Sequence, residues 1–205
     1  MKKVLISSLF LLNSLLAAES ALEAFKNGEY KKAFELYTLD AKDGNSSALN
    51  ALSYLYFNGL GIQQNDAKGV ELLKKSAEKN NKNAAYDLGM MYLIGDHIQQ
   101  DKKQAFHYLT QASQDKHSDA EFNLALMYYN GDAIDSNITK SLELLEDAAK
   151  RGHKAAISNI GRIYMQDFQF EKAVKWLKVN VKNGDEEAKS LLQEIYNHKP
   201  ELKQD

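Results

Sequence analysis

The 205-residue chain contains no cysteine, one proline and one tryptophan. Without cysteine there is no disulfide framework and no thiol redox chemistry, and no cysteine follows the N-terminal apolar run to carry a lipid. Stability must come from packing. The lone proline, Pro200, stands close to the C-terminus, so no proline interrupts the pattern before it. Long apolar runs are missing too: Val4 to Leu16, broken by Ser7, Ser8, Asn13 and Ser14, falls short of the roughly 20 residues a membrane-spanning helix needs. Signatures of chemistry are equally scarce. Gly59-Leu60-Gly61 lacks the strand and the lysine of a phosphate loop. The five histidines form no His-x-x-x-His pair on a helix face, so they read as isolated surface residues, and the pattern calls for neither a metal nor a cofactor. A net charge of −2, with lysines interleaved among acids as in Glu71 to Lys79 and Glu143 to Arg151, describes solvated helix faces and disfavours a nucleic-acid partner.

The N-terminus has a layout of its own. Met1-Lys2-Lys3, a short apolar stretch and Leu16-Ala17-Ala18 match the charged, apolar and small-residue regions of a secretory signal peptide. The expectation is a signal over residues 1–18, a mature protein that is periplasmic or secreted, and no transmembrane segment after signal removal. Removing Lys2 and Lys3 with no accompanying acid takes the formal charge from −2 to −4.

What is abundant is repetition. A pattern of the form Leu-Gly-x-x-Tyr steps by 36 residues through Tyr56, Tyr92, Tyr128 and Tyr164, with Gly59, Gly95 and Gly131 three places on and Ile62, Ile98 and Ile134 three further. A period of this length marks stacked units rather than one globular core. Within a unit the apolar residues fall at helical spacing, as in Ala84, Leu88, Met91 and Tyr92, then Ala105, Tyr108, Leu109 and Ala112, so each repeat is two helices. Gly89, Ala125 and Gly161 leave room for a neighbouring helix. Gly59, Gly95 and Gly131 stand where a left-handed helix-ending residue is expected, and the isoleucines plug the loop. Asn65, Asp101 and Asn137 share one register as N-caps of the second helix. Asn137 also opens an Asn-Ile-Thr sequon, for which capping is the simpler role.

Ala-x-x-x-Leu-Gly-x-x-Tyr-x-x-Gly followed by a second small-residue helix, complete at Ala84, Leu88, Gly89, Tyr92, Gly95 and Ala105, resembles the Sel-1-like repeat, a relative of the tetratricopeptide repeat. The resemblance covers about residues 22 to 198 and implies an all-α, right-handed α-solenoid of stacked antiparallel helix pairs. The expected organisation is a single solenoid over 19–198, with units at about 22–47, 48–83, 84–119, 120–155 and 156–187, a capping helix at 186–197 and a tail at 199–205. The outer units have shorter loops, since Tyr164 to Ala173 and Ala24 to Ala33 span nine residues where Tyr92 to Ala105 spans 13. Such atypical ends suit the caps of a complete array. One family position departs: the second loop glycine survives as Gly61 but becomes His97 and Ala133, leaving the loop conformation there open.

The resemblance further implies a curved groove lined by the first helix of each pair. With the tyrosine as ninth position, the fourth, seventh and eleventh positions should face it: Ala51, Asp87, Asn123 and Asn159; Tyr54, Met90, Leu126 and Arg162; Asn58, Ile94, Asn130 and Gln166. Amides beside exposed apolar groups suit an extended peptide, whose backbone would take hydrogen bonds from the asparagines. The expected function is a non-catalytic protein- or peptide-binding scaffold exported to the cell envelope. The alternative comes from cysteine-rich exported members of the family, described as penicillin-binding proteins or weak β-lactamases. Ser76-Ala77-Glu78-Lys79 and Ser113-Gln114-Asp115-Lys116 fit Ser-x-x-Lys, but Ser-Asp-Asn and Lys-Thr-Gly are missing. With 14 serines and 24 lysines, chance supplies one or two such spacings, so no catalytic residue is assigned.

Overall fold

A computed structural model describes residues 20–203; the expected signal peptide lies outside the described residues. All regular structure among them is helical: α1 (20–26), α2 (Tyr30–Lys42), α3 (Ser46–Asn58), α4 (Asp66–Glu78), α5 (Lys82–Ile94), α6 (Lys102–Gln114), α7 (Ser118–Asn130), α8 (Ile138–Lys150), α9 (Lys154–Gln166), α10 (Phe170–Lys182) and α11 (Glu186–His198), then a 3-10 turn at Pro200–Lys203. First helices begin at Ser46, Lys82, Ser118 and Lys154, at the step of the tyrosines, and the step shortens by four residues to Glu186.

Capping residues set these boundaries. Asn65, Asp101 and Asn137 accept backbone N–H groups of the following first turn, from Lys68, from Lys103 and Gln104, and from Lys140. Their own N–H groups donate to the carbonyls of Tyr56, Tyr92 and Tyr128 at 3.0, 2.9 and 2.8 Å. Each repeat tyrosine therefore anchors the far end of its loop through its backbone. In the shorter last loop, Gln169 N–H makes the same bond to Tyr164. Gly59, Gly95 and Gly131 all end their helices in the left-handed region. A second series of caps starts the first helices: Asn45, Asn81, His117, His153 and Asp185 each accept an N–H of the helix that follows. Two histidines expected to be free surface residues are thus helix caps, accepting through Nδ1.

By internal contact the chain forms two compact units, up to Tyr108 and from Leu109, with the division inside α6. In the first, Ala24, Ala33, Leu49, Leu52, Leu55 and Leu72 form a core along α1 to α4. Gly69, within α4, admits the Phe57 ring: a Cβ added there would stand 2.5 Å from the ring edge. In the second unit, Leu145, Ile160, Ile163, Tyr164, Leu177 and Ile195 pack with alanines from α7 to α11, and Leu202 of the terminal turn packs against them inside the expected tail. Gly161 provides the close approach of α9 and α10, since a Cβ there would lie 2.9 Å from Leu177 Cγ. Gly161→Leu is therefore expected to lower stability by about 1–3 kcal/mol through overpacking. Urea titration checks it, and a midpoint equal to the wild type would contradict the contact.

The second unit also contains a pair that charge patterning along the sequence misses. Glu121 of α7 is 4% exposed and forms an ion pair with Arg151, the residue that ends α8. A buried carboxylate needs such a partner. Nothing in the local sequence joins residues 30 apart.

Candidate functional site

None of the twelve candidate groove residues is buried. In the first unit five of them line one cleft of about 330 Å³: Tyr54 and Asn58 of α3, with Asp87, Met90 and Ile94 of α5. Ile94 is 63% exposed and Tyr54 is 51% exposed. These are two of the few large apolar side chains that the described residues leave open to solvent.

The cleft floor was not visible in the stripe. Phe57, Met91, Asp96 and His97 form it together with Asn50, Ser53 and Leu73. His97 packs against Phe57 with ring centroids 4.6 Å apart, and its Nδ1 lies 3.1 Å from Asp66 Oδ2 at the start of α4. That hydrogen bond holds the Asp66 carboxyl below its ordinary value. His97 adopts φ +56 and Ala133 φ +67, the region Gly61 occupies at φ +71. The loop conformation thus persists where the glycine is lost, and at 97 the substitute side chain supplies a wall of the cleft.

Asp87 is the electrostatic centre. It is half-buried, and among the described residues no cation pairs with it. Burial alone pushes its carboxyl up to about 6. Among the described residues no lysine or arginine lines the cleft, and its carboxylates are Asp87 and Asp96. A desolvated carboxylate without a partner, in a cleft with apolar walls, marks a place where a guest could supply the missing charge.

In the second unit the stripe is internally bonded. Tyr129 of α7 donates to Gln166 Oε1 of α9 at 2.6 Å, and Arg162 pairs with Glu187 of α11 at 2.7 Å. Leu126 is half-buried, and Asn130 Nδ2 reaches Asp132 at 3.4 Å. Asn58, Asn123 and Asn159 donate their amide N–H to carbonyls four residues back, at Tyr54, Asp119 and Ala155. Each amide thereby spends one of its two N–H donors on its own helix.

The Ser-x-x-Lys serines occupy structural positions. Ser76 is fully buried and donates to the Ser46 carbonyl at 2.7 Å, and Ser113 donates to the Thr110 carbonyl at 2.8 Å. Among the described residues no three His, Asp or Glu side chains group as a metal would require, and no helix is long and apolar enough to cross a membrane.

The Sel1 repeat model matches residues 46–81, 82–117 and 118–153, just over half of the chain. The chain belongs to the Sel1 repeat family. Each matched Sel1 repeat begins where a first helix begins, at Ser46, Lys82 and Ser118, two residues before the expected unit boundaries. A Sel1 repeat protein from Oxalobacter formigenes is 26% identical over 87% of this chain and 75% of its own, with a TM-score of 0.78. A protective antigen of uropathogenic Escherichia coli with the same repeat fold is 28% identical over 82% of this chain, which spans 37% of the antigen's length, with a TM-score of 0.70. A Klebsiella pneumoniae protein described as a Sel1 repeat protein, at 21% identity over 89% of this chain and 92% of its own and a TM-score of 0.52, shares the fold alone. No curated protein matches the chain. The expected all-α class of stacked helix pairs is the fold of these Sel1 repeat structures.

Proposed function

We propose that this Sel1 repeat protein is a non-catalytic scaffold of the cell envelope that holds a peptide, or a segment of another protein, along the first helices of its repeats. The observation that carries the proposal is the first-unit cleft, where five stripe residues meet, among them an exposed Ile94 and, in Asp87, a carboxylate with which no cation pairs among the described residues. Sel1 repeats are in general protein-interaction modules. Export rests on the charged, apolar and small-residue regions ahead of Glu19.

A photo-crosslinking residue placed in intact cells at Ile94, at Asn130 and, as a control, at the exposed Lys150 of α8 tests both halves. Adducts are expected from the two stripe positions and not from Lys150, carried by a chain whose mass lacks residues 1–18. The combination Asp87→Lys with Arg162→Glu should abolish them without loss of helical circular dichroism. Equal adducts at Lys150, or an unchanged pattern in the double variant, would count against the stripe. A crosslinked chain of full mass would count against export.

A further inference from the structure

The first-unit cleft differs from a general peptide groove in its charge. Its polar walls are the acids Asp87 and Asp96, His97, which bonds Asp66, and the neutral side chains of Asn50, Ser53 and Asn58. Its apolar walls are Tyr54, Met90 and Ile94. Among the described residues no lysine or arginine side chain of this unit enters it, although lysines are common elsewhere in the sequence. The Lys68, Lys75 and Lys32 ammonium groups pair with Glu71 and Glu29 instead.

From this arrangement we infer that the cleft is a pocket for one basic side chain of the bound segment, a lysine or an arginine, flanked in that segment by apolar residues. The inference rests on the scaffold proposal and narrows its partner. The aliphatic stem of either residue would lie along Met90 and Ile94, while its charged head reaches Asp87, the division of labour these long side chains adopt at apolar surfaces. Neighbouring apolar residues of the segment would cover Tyr54 and Ile94, whose exposure is otherwise unexplained. Methionine suits such a wall because its thioether adapts to guests of different shape. Arginine has the advantage over lysine: its fork can engage both oxygens of the carboxylate together. An acidic side chain would bring a third negative charge beside Asp87 and Asp96 and is excluded by repulsion. The burial that holds the Asp87 carboxyl near 6 supports the same conclusion, since a bound cation would relieve it.

Selection from a random dodecapeptide phage library against the purified chain, at pH 7.5, tests the inference. Wild type is expected to yield peptides whose binding is lost on Ile94→Lys and which share one Lys or Arg position beside an apolar residue. Asp87→Asn, which keeps the shape and removes the charge, should return that position to its library frequency. Replacing the basic residue of a selected peptide by norleucine should weaken binding about tenfold on wild type and less than twofold on Asp87→Asn. Cleft-dependent peptides without a basic position, or a basic preference that survives Asp87→Asn, would overturn the inference and leave the scaffold proposal standing. An absence of any Ile94-dependent peptide would overturn both.

Discussion

Gly61→Ala is expected to lower the unfolding free energy by about 2–4 kcal/mol, whereas Ala133→Gly, at the same repeat position, should raise it by about 0.5 kcal/mol. Both positions hold the chain at positive φ, +71 and +67. An alanine in this left-handed region is strained by about 1 kcal/mol, and at 133 the strain is already present in the native protein. Replacement by glycine removes it, with part of the gain offset by the freer unfolded chain. At 61 the same substitution adds strain and also a collision. The new Cβ would lie against the Tyr30 carbonyl carbon and 2.5 Å from the Lys31 nitrogen, both backbone atoms of the first turn of α2. A flexible side chain could turn away from such a contact. A helix terminus has to move as a body, and α2 is held by the core residues Ala33 and Tyr37. Urea titration of the two variants beside the wild type reads the opposite signs directly. Midpoint shifts of the same sign would show that backbone conformation is not what separates the two sites.

The same register shows how far a sequence with a strict period can be taken. Covalent spacing sets where helices start, so the tyrosine step locates the caps Asn65, Asp101 and Asn137 and the shortened loop before α10. His117 and His153 could have been found by the same device, because they stand 36 and 72 residues after Asn81, itself 36 after Asn45. Histidine is simply an uncommon cap, and its register was outweighed by its type. At 97 and 133 residue type left the conformation open. The backbone decides it: the loop must return Asp101 and Asn137 to the carbonyls of Tyr92 and Tyr128, and that closure imposes positive φ on whatever residue occupies the place.

Properties that depend on neighbours distant in the chain were beyond the period. Glu121 and Arg151 meet across 30 residues, and the Phe57 ring packs onto α4 at Gly69 because a Cβ there would collide with it. The groove stripe was legible as a line of accessible positions and illegible as chemistry. Asn58, Asn123 and Asn159 each place an amide N–H on a carbonyl of their own helix, and His97, which no stripe position includes, forms part of the cleft. Asp87 was placed in the groove by its register alone. Its distinction from Asn123 and Asn159, which share that position, lies in the desolvation of a charge, which no spacing encodes.

That desolvation makes Asp87→Asn the second large effect: the variant should be more stable than the wild type at pH 7 by about 2–3 kcal/mol. In the folded protein the carboxyl titrates near 6, against 3.8 for the ordinary side chain. Between those values the native state holds a proton that the unfolded chain has released, so this residue makes the wild type gain stability as pH falls from about 6 to about 4. Above 6 both states are ionised and the full penalty of the buried charge is present; below 4 both are protonated and it vanishes. An asparagine of the same shape has no proton to lose. The difference between variant and wild type should therefore be largest at pH 7 and close through the window from 6 to 4, approaching the small difference between an amide and a protonated acid. Urea titrations of both proteins at pH 7.0, 5.0 and 4.0 measure the three points. Equal stability at pH 7, or a gap that widens on acidification, would mean that Asp87 is solvated in the free protein and that the cleft holds no charge awaiting a partner.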